Sequence, residues 1–173
     1  RDIARIKHDF DNDLSISINI SSSQILHQNL PELIQENLDV YDLTSKSIEL
    51  EFTENMLIKQ GRKGQQVLDR LNKMGVKLSI DDFGTGYSNF THIMELKPDY
   101  LKIDGSLIKD INTNRDSYEL VKAIVQFSKE LNIKTIAEYV CNKEVFDIAF
   151  ELGVDEFQGY YFGQPSIENV IPS

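Results

Sequence analysis

Apolar residues along this chain recur with a period of two in some stretches and near 3.6 in others, and the switches between the two periods mark out strands and helices. In LSISINI, residues 14–20, Leu14, Ile16, Ile18 and Ile20 alternate with Ser15, Ser17 and Asn19, the pattern of a first strand. SIELEF, 47–52, sets Glu49 and Glu51 opposite Ile48, Leu50 and Phe52, and VKLSI, 76–80, alternates Val76, Leu78 and Ile80 with Lys77 and Ser79. YLKID (100–104), KTIAEYV (134–140) and EFQGYYF (156–162) complete a set of six predicted strands. Between them the pattern turns helical. Ser21 to Ser23 cap a helix from about residue 24, and Pro31 marks a second start with Leu30, Leu33, Ile34 and Leu38 on one face. Helices are further predicted over 64–74, closed by Gly75 as a left-handed cap, over a short stretch at 88–96, over 117–131, and over 143–152, stopped by Gly153. Residues 1–10 carry Ile3, Ile6 and Phe10 at helical spacing without a start signal, which reads as the tail of an element that begins upstream.

Strand and helix therefore alternate at the spacing that parallel βαβ units require, so the fold class is α/β with a parallel sheet. Each strand ends on a polar residue: Asn19, Glu51, Asp81 with Asp82, Lys102 with Asp104, Glu138 and Gln158. In a TIM-type (β/α) barrel the C-terminal ends of the strands converge on one mouth, where catalytic groups collect. A flavodoxin-like open sheet would spread the same residues along a crevice. The recurrence at all six ends predicts the barrel.

The most informative of these ends is DDFGTGYSNF, 81–90. Consecutive strand residues point to opposite sides, so Asp81 and Asp82 reach one site only if the backbone turns there, and Gly84 and Gly86 supply residues that turn without steric cost. A single Asp in this position is as well explained by capping of the next turn. Two adjacent carboxylates at a strand end suit a divalent cation, which takes hard oxygen ligands. Asp104 remains open between a site role and binding of nearby backbone amides.

Composition narrows the partners. A chain of 173 residues, 40% hydrophobic and 27% charged, is expected to form one globular domain with a substantial core. The formal net charge of −10 opposes binding to a nucleic-acid polymer. Cys141 is the single cysteine, which rules out an intramolecular disulfide and a cysteine-cluster metal site. No apolar run reaches ~18 residues and the N-terminal residues lack a signal-peptide pattern, so the segment is expected to be cytoplasmic and to make no membrane contact.

At this point SINIS (17–21), ELEFTEN (49–55), DDFGTGYSNF (81–90), YLKIDGSLI (100–108), AEYV (137–140) and QGYYFGQP (158–165) together resemble the EAL-type cyclic diguanylate phosphodiesterase domain, in that family's order and over essentially the whole chain. The resemblance implies a divalent-metal enzyme that opens the cyclic dinucleotide to linear 5′-pGpG. By motif position, Asn19, Glu51 and Asp81 resemble ligands of one Mg²⁺ or Mn²⁺, with Asp82 and Glu138 at a second. Such a pair of cations lowers the pKa of a bridging water and neutralises charge on the phosphoryl oxygens. Lys102 resembles the lysine that orients the attacking water; its alternative is a buried ion pair. Glu138 resembles a proton-transfer group or metal ligand, Gln158 the amide beside substrate phosphate, and Glu54 the glutamate that steadies the loop after the double Asp.

Three departures qualify the resemblance. The Glu-Ala-Leu signature strand, whose Glu binds metal, is absent; Tyr139 stands where glycine is usual and Cys141 where a second glutamate is usual. The six strands correspond to the third through eighth of a barrel that takes ~250 residues, so the chain reads as a single domain covering the C-terminal three quarters, and in isolation it is expected to be inactive. A homodimer and an upstream sensor or diguanylate cyclase-type domain are the expected protein partners. Two further readings are a catalytically degenerate cyclic diguanylate receptor or protein-interaction module of the same fold, and a different metal-dependent barrel enzyme acting on a carboxylate or sugar.

Overall fold

The computed structural model describes residues 15–25, 29–53, 56, 61–85 and 90–165. Six strands, β1 (Ile16–Asn19), β2 (Ile48–Thr53), β3 (Lys77–Phe83), β4 (Tyr100–Ile103), β5 (Lys134–Ala137) and β6 (Glu156–Phe157), form one sheet. Every pairing is parallel and the spatial order is the chain order, β1 to β6. An open doubly wound sheet would reverse its order at a switch point. Here the winding never reverses, and the six strands make an incomplete (β/α) barrel.

The helices are α1 (Ser22–Ile25), α2 (Leu30–Val40), α3 (Gly61–Lys73), α4 (Phe90–Leu96), α5 (Gly105–Ile108), α6 (Arg115–Glu130) and α7 (Lys143–Leu152). Their boundaries follow local chemistry. The Asn114 side chain accepts from the amides of Asp116 and Ser117 at the start of α6, and Asn142 accepts from Val145 N at 3.0 Å at the start of α7. Gly75 and Gly153 end α3 and α7 with φ of 75° and 86°, where a Cβ would be strained.

The core lies between sheet and helices. Leu50, Phe52, Leu78, Ile80, Leu101 and Ile103 are at most 1% exposed and pack with Leu68, Leu71, Ile93, Ile108, Val121 and Val145. Each such side chain contributes about 1.5–3 kcal/mol by burial. The alternate positions, among them Glu51, Asp81 and Lys102, belong to the other face of the sheet, which is the barrel interior. Two aspartates in the turns before strands fasten the sheet at its opposite end: Asp99 Oδ2 accepts from Leu78 N at 2.9 Å, and Asp155 Oδ2 from Thr135 N at 2.8 Å.

Several strand limits differ from the sequence reading. The central strand runs past Ile80 to Phe83 and carries both aspartates within it. The fifth ends at Ala137, because Tyr139 turns the chain with φ of 55°. The sixth is two residues long, since Gln158 to Phe162 curls back onto Val140. Leu33 is 56% exposed rather than inward, as α2 sits at the β1 end of the sheet. The helix predicted over residues 1–10 lies outside the described residues.

Among the described residues, β1 and β6 each pair on one side only. Ile18 is 36% exposed on β1, and Phe150, Tyr161 and Phe162 are exposed beside β6. Unpaired edges next to apolar surface recruit further chain. The 173-residue chain alone is therefore expected to self-associate, seen as a concentration-dependent shift in size-exclusion chromatography that Phe150→Lys reduces. A monomer at every concentration would count against accessible edges.

Candidate metal and catalytic centre

One cation organises the C-terminal end of the sheet. Lys102, on β4, is 5% exposed, and its Nζ lies 3.3 Å from Glu51 Oε2, 2.9 Å from Asp81 Oδ1 and 2.8 Å from Glu138 Oε1. Burial alone would depress this ammonium, but hydrogen bonds to Glu138 and Asp81 outweigh it and hold the group protonated well above the usual lysine range. Asp81 on β3 and Glu138 just after β5 stand on the two strands that flank β4, and curvature of the sheet brings Glu51 of β2, one strand further away, to the same ammonium.

Asp82 joins them through a backbone irregularity. Between Ile80 and Phe83 of β3, paired with Leu101 and Ile103 of β4, the register slips by one residue, and Asp82 takes φ of 56°. A bulge of this kind re-aims a side chain. It gives the turn that two adjacent carboxylates require, inside the strand and two residues ahead of Gly84, which also takes a positive φ of 100°.

Asp81, Asp82 and Glu138 each place a carboxylate oxygen within 4.8 Å of the others. Burial, then the charges of Asp81 and Asp104, push the Asp82 carboxyl above its ordinary value. Burial also raises Glu138, with Asp81 and Asp82 adding to the effect against the opposing Lys102. Three carboxylates contact the Lys102 ammonium and a fourth, Asp82, stands beside two of them, so negative charge is left in excess. Hard oxygen donors in that state fit a divalent cation.

The remaining predicted residues sit around this centre. Asn19 ends β1, exposed, with Glu51 as its register partner. Gln158 is exposed and lines a pocket of ≈ 300 Å³ with Glu138, Tyr139, Cys141, Gly159 and Tyr160. Asp104 caps α5, its Oδ1 accepting from Ser106 N at 2.7 Å, so its side chain serves the backbone while its charge acts on Asp82. Glu54 lies outside the described residues. The role of Asp104 as a cap follows from its place directly after a strand and before Gly105, a signal present in the sequence. Tyr160 carries no site signal in the sequence, because an aromatic in a predicted strand reads as core.

The EAL domain profile matches residues 1–165. The chain belongs to the EAL domain family. Signaling protein YkoW of Bacillus subtilis is 39% identical over 162 residues, covering 94% of this chain and 20% of that protein. Among solved structures, the PaMucR phosphodiesterase in complex with c-di-GMP superposes with a TM-score of 0.87 at 31% identity, covering 94% of this chain and 66% of that one. BlrP1 of Klebsiella pneumoniae, solved as a manganese and cyclic diguanylate complex, gives a TM-score of 0.85 at 27% identity, over 92% of this chain and 41% of that one. The chain spans about a fifth of the length of the curated relatives it matches. Among the described residues of this EAL chain, no helix is long and apolar enough to cross a membrane.

Proposed function

We propose that this EAL chain carries the catalytic face of a cyclic diguanylate phosphodiesterase, which hydrolyses one phosphodiester of the cyclic dinucleotide to give linear 5′-pGpG. The observation that supports it most is the convergence of Lys102 with Glu51, Asp81 and Glu138, and of Asp82 beside them. Glu51, Asp81, Asp82, Glu138 and Asn19 would hold Mg²⁺ or Mn²⁺. When bound, the metal supplies a water acidified for attack at neutral pH and neutralises charge growing on the phosphoryl oxygens.

The chain's own groups do the rest. Lys102, compact and charged, directs its three N–H donors at three acids and stays protonated; it orients a water by turning one of those donors to it. Glu138 serves either as one of the metal ligands or, with its carboxyl raised by burial in the absence of metal, as the group that moves a proton to the departing ribose oxygen. Gln158 offers an amide beside the substrate phosphate, and Glu54 steadies the loop after Asp82. Residues 1–173 act as the C-terminal three quarters of one domain. Upstream chain, including a sensor or cyclase-type domain, or a second copy in a homodimer supports the open edges. The working compartment is the cytoplasm.

The test is turnover of cyclic diguanylate to 5′-pGpG by the full protein, with and without millimolar Mg²⁺ or Mn²⁺. Asp81→Asn keeps the shape but removes a charge that holds a hard cation, and is expected to lower turnover at least roughly a thousandfold, equivalent to ~4 kcal/mol of transition-state stabilisation. Binding without metal-dependent hydrolysis would favour the receptor reading instead.

A further inference from the structure

Tyr139 holds φ at 55°, a left-handed conformation that disfavours any residue with a Cβ. Burial in a core would offset that cost, yet the residue is 70% exposed. The root of its ring stands on Gly105: a Cβ there would lie 2.2 Å from Tyr139 Cδ2. The remainder of the ring walls the ≈ 300 Å³ pocket that Glu138, Cys141, Gln158 and Gly159 line and that Tyr160, 68% exposed, closes from another side. Among the described residues neither Tyr139 nor Tyr160 pairs with another ring, whereas Tyr161 stacks on Phe146 and Phe162 meets Phe146 edge-on. The EAL-type motif has glycine at this position, so the ring is a feature of this chain that the resemblance does not supply.

A strained, exposed aromatic beside reacting groups is the kind of outlier that ligand contacts maintain. The volume lies at the lower end of the range for ligand sites, enough for one base with its sugar rather than a whole cyclic dinucleotide. Base-on-aromatic stacking needs only a flat exposed ring, and Tyr139, 70% exposed with the root of its ring against Gly105, supplies one. We infer that Tyr139 is a specificity-determining contact whose ring stacks on one purine base of cyclic diguanylate, seated in the pocket beside Glu138. This rests on the phosphodiesterase reading. The left-handed backbone turns the ring out of the β5 line and over the pocket, and Gly105 leaves room for it to do so.

The experiment is calorimetric binding of cyclic diguanylate to the full protein in Ca²⁺ buffer, with thermal unfolding measured in parallel. Tyr139→Gly is expected to weaken binding roughly tenfold, within the range that stacking contributes. It is not expected to lower Tm, because glycine takes the left-handed backbone without steric cost. Tyr139→Phe keeps the flat ring and is expected to hold affinity within about twofold. Affinity lost while Tm is kept separates a contact from a structural role, which would lower both together. Unaltered protein that binds while Tyr139→Gly binds equally well overturns the inference alone, as does a parallel fall in Tm. Absence of binding by the unaltered protein overturns the cyclic diguanylate reading and this inference with it.

Discussion

Lys102→Met is expected to abolish turnover and to lower metal-free stability by about 3–5 kcal/mol, the range for breaking a buried ion pair from one side. The substitution leaves Glu51, Asp81 and Glu138 close together without their shared cation. They then either repel or take up protons. Glu138 and Asp82 are already pushed upward by burial in the unaltered chain, and loss of Lys102 raises the group further. Groups whose folded pKa is raised contribute stability that is fully present below their unfolded pKa and is lost as pH rises through the folded value. The deficit of the variant is therefore expected to be small near about pH 4 and to grow toward neutrality. A divalent cation bound only by the folded state opposes it, by about 2.7 kcal/mol at a hundred times Kd. Millimolar Mn²⁺ is thus expected to restore much of the stability of Lys102→Met but none of the turnover, because no ammonium is left to orient water. Urea unfolding with and without Mn²⁺, with product analysis alongside, checks both halves. A variant as stable as the parent in chelator at about pH 7 would show that the acids do not depend on Lys102.

That dependence was only partly readable before folding. The alternation in β2, β3 and β4 already placed Glu51, Asp81 and Lys102 at strand ends, because a period of two fixes which face a side chain takes. Consecutive βα units with no reversal then put those ends on one rim, and the parallel order from β1 to β6 agrees. Local pattern does not encode how a strand breaks. The bulge that brings Asp82 beside Asp81 depends on pairing with β4, a contact about twenty residues away. The left-handed turn at Tyr139 falls on a residue that does not favour it, and the one at Asp82 on a residue that ranks behind glycine, so local preference pointed first to Gly84, which takes a φ of 100° as well, and to Gly86. The sixth strand is expected over 156–162 and is present, but only Glu156–Phe157 of it, for a similar reason. Its aromatic residues have high strand propensity, but tertiary packing around Val140 decides their course.

The packing at Val140 leads to a second large effect, from the smallest possible change. Gly159→Ala is expected to destabilise the chain by about 3 kcal/mol, in the upper part of the range for overpacking. A Cβ at Gly159 would lie 2.2 Å from the Val140 carbonyl oxygen and 2.4 Å from its nitrogen. Those are backbone atoms, unable to swing aside as a flexible side chain would, so one segment must leave the other. The segments are tied by Val140 N donating to Gln158 O at 3.1 Å and Tyr161 N donating to Val140 O at 3.0 Å. Val140 is fully buried, and an amide there that loses its partner carries the cost of an unsatisfied donor. Movement at Val140 also displaces Glu138, two residues earlier, from Lys102 and Asp81, so turnover is expected to fall along with stability. Gly163→Ala is the matching control: a Cβ there meets nothing within 4 Å, and its effect should stay within about 0.5 kcal/mol. Hydrogen exchange at the Val140 and Tyr161 amides, read with urea unfolding of both variants, is the measurement. Gly159→Ala with full protection at these amides and the stability of the control would mean that the two backbones have room to part without leaving their hydrogen bonds.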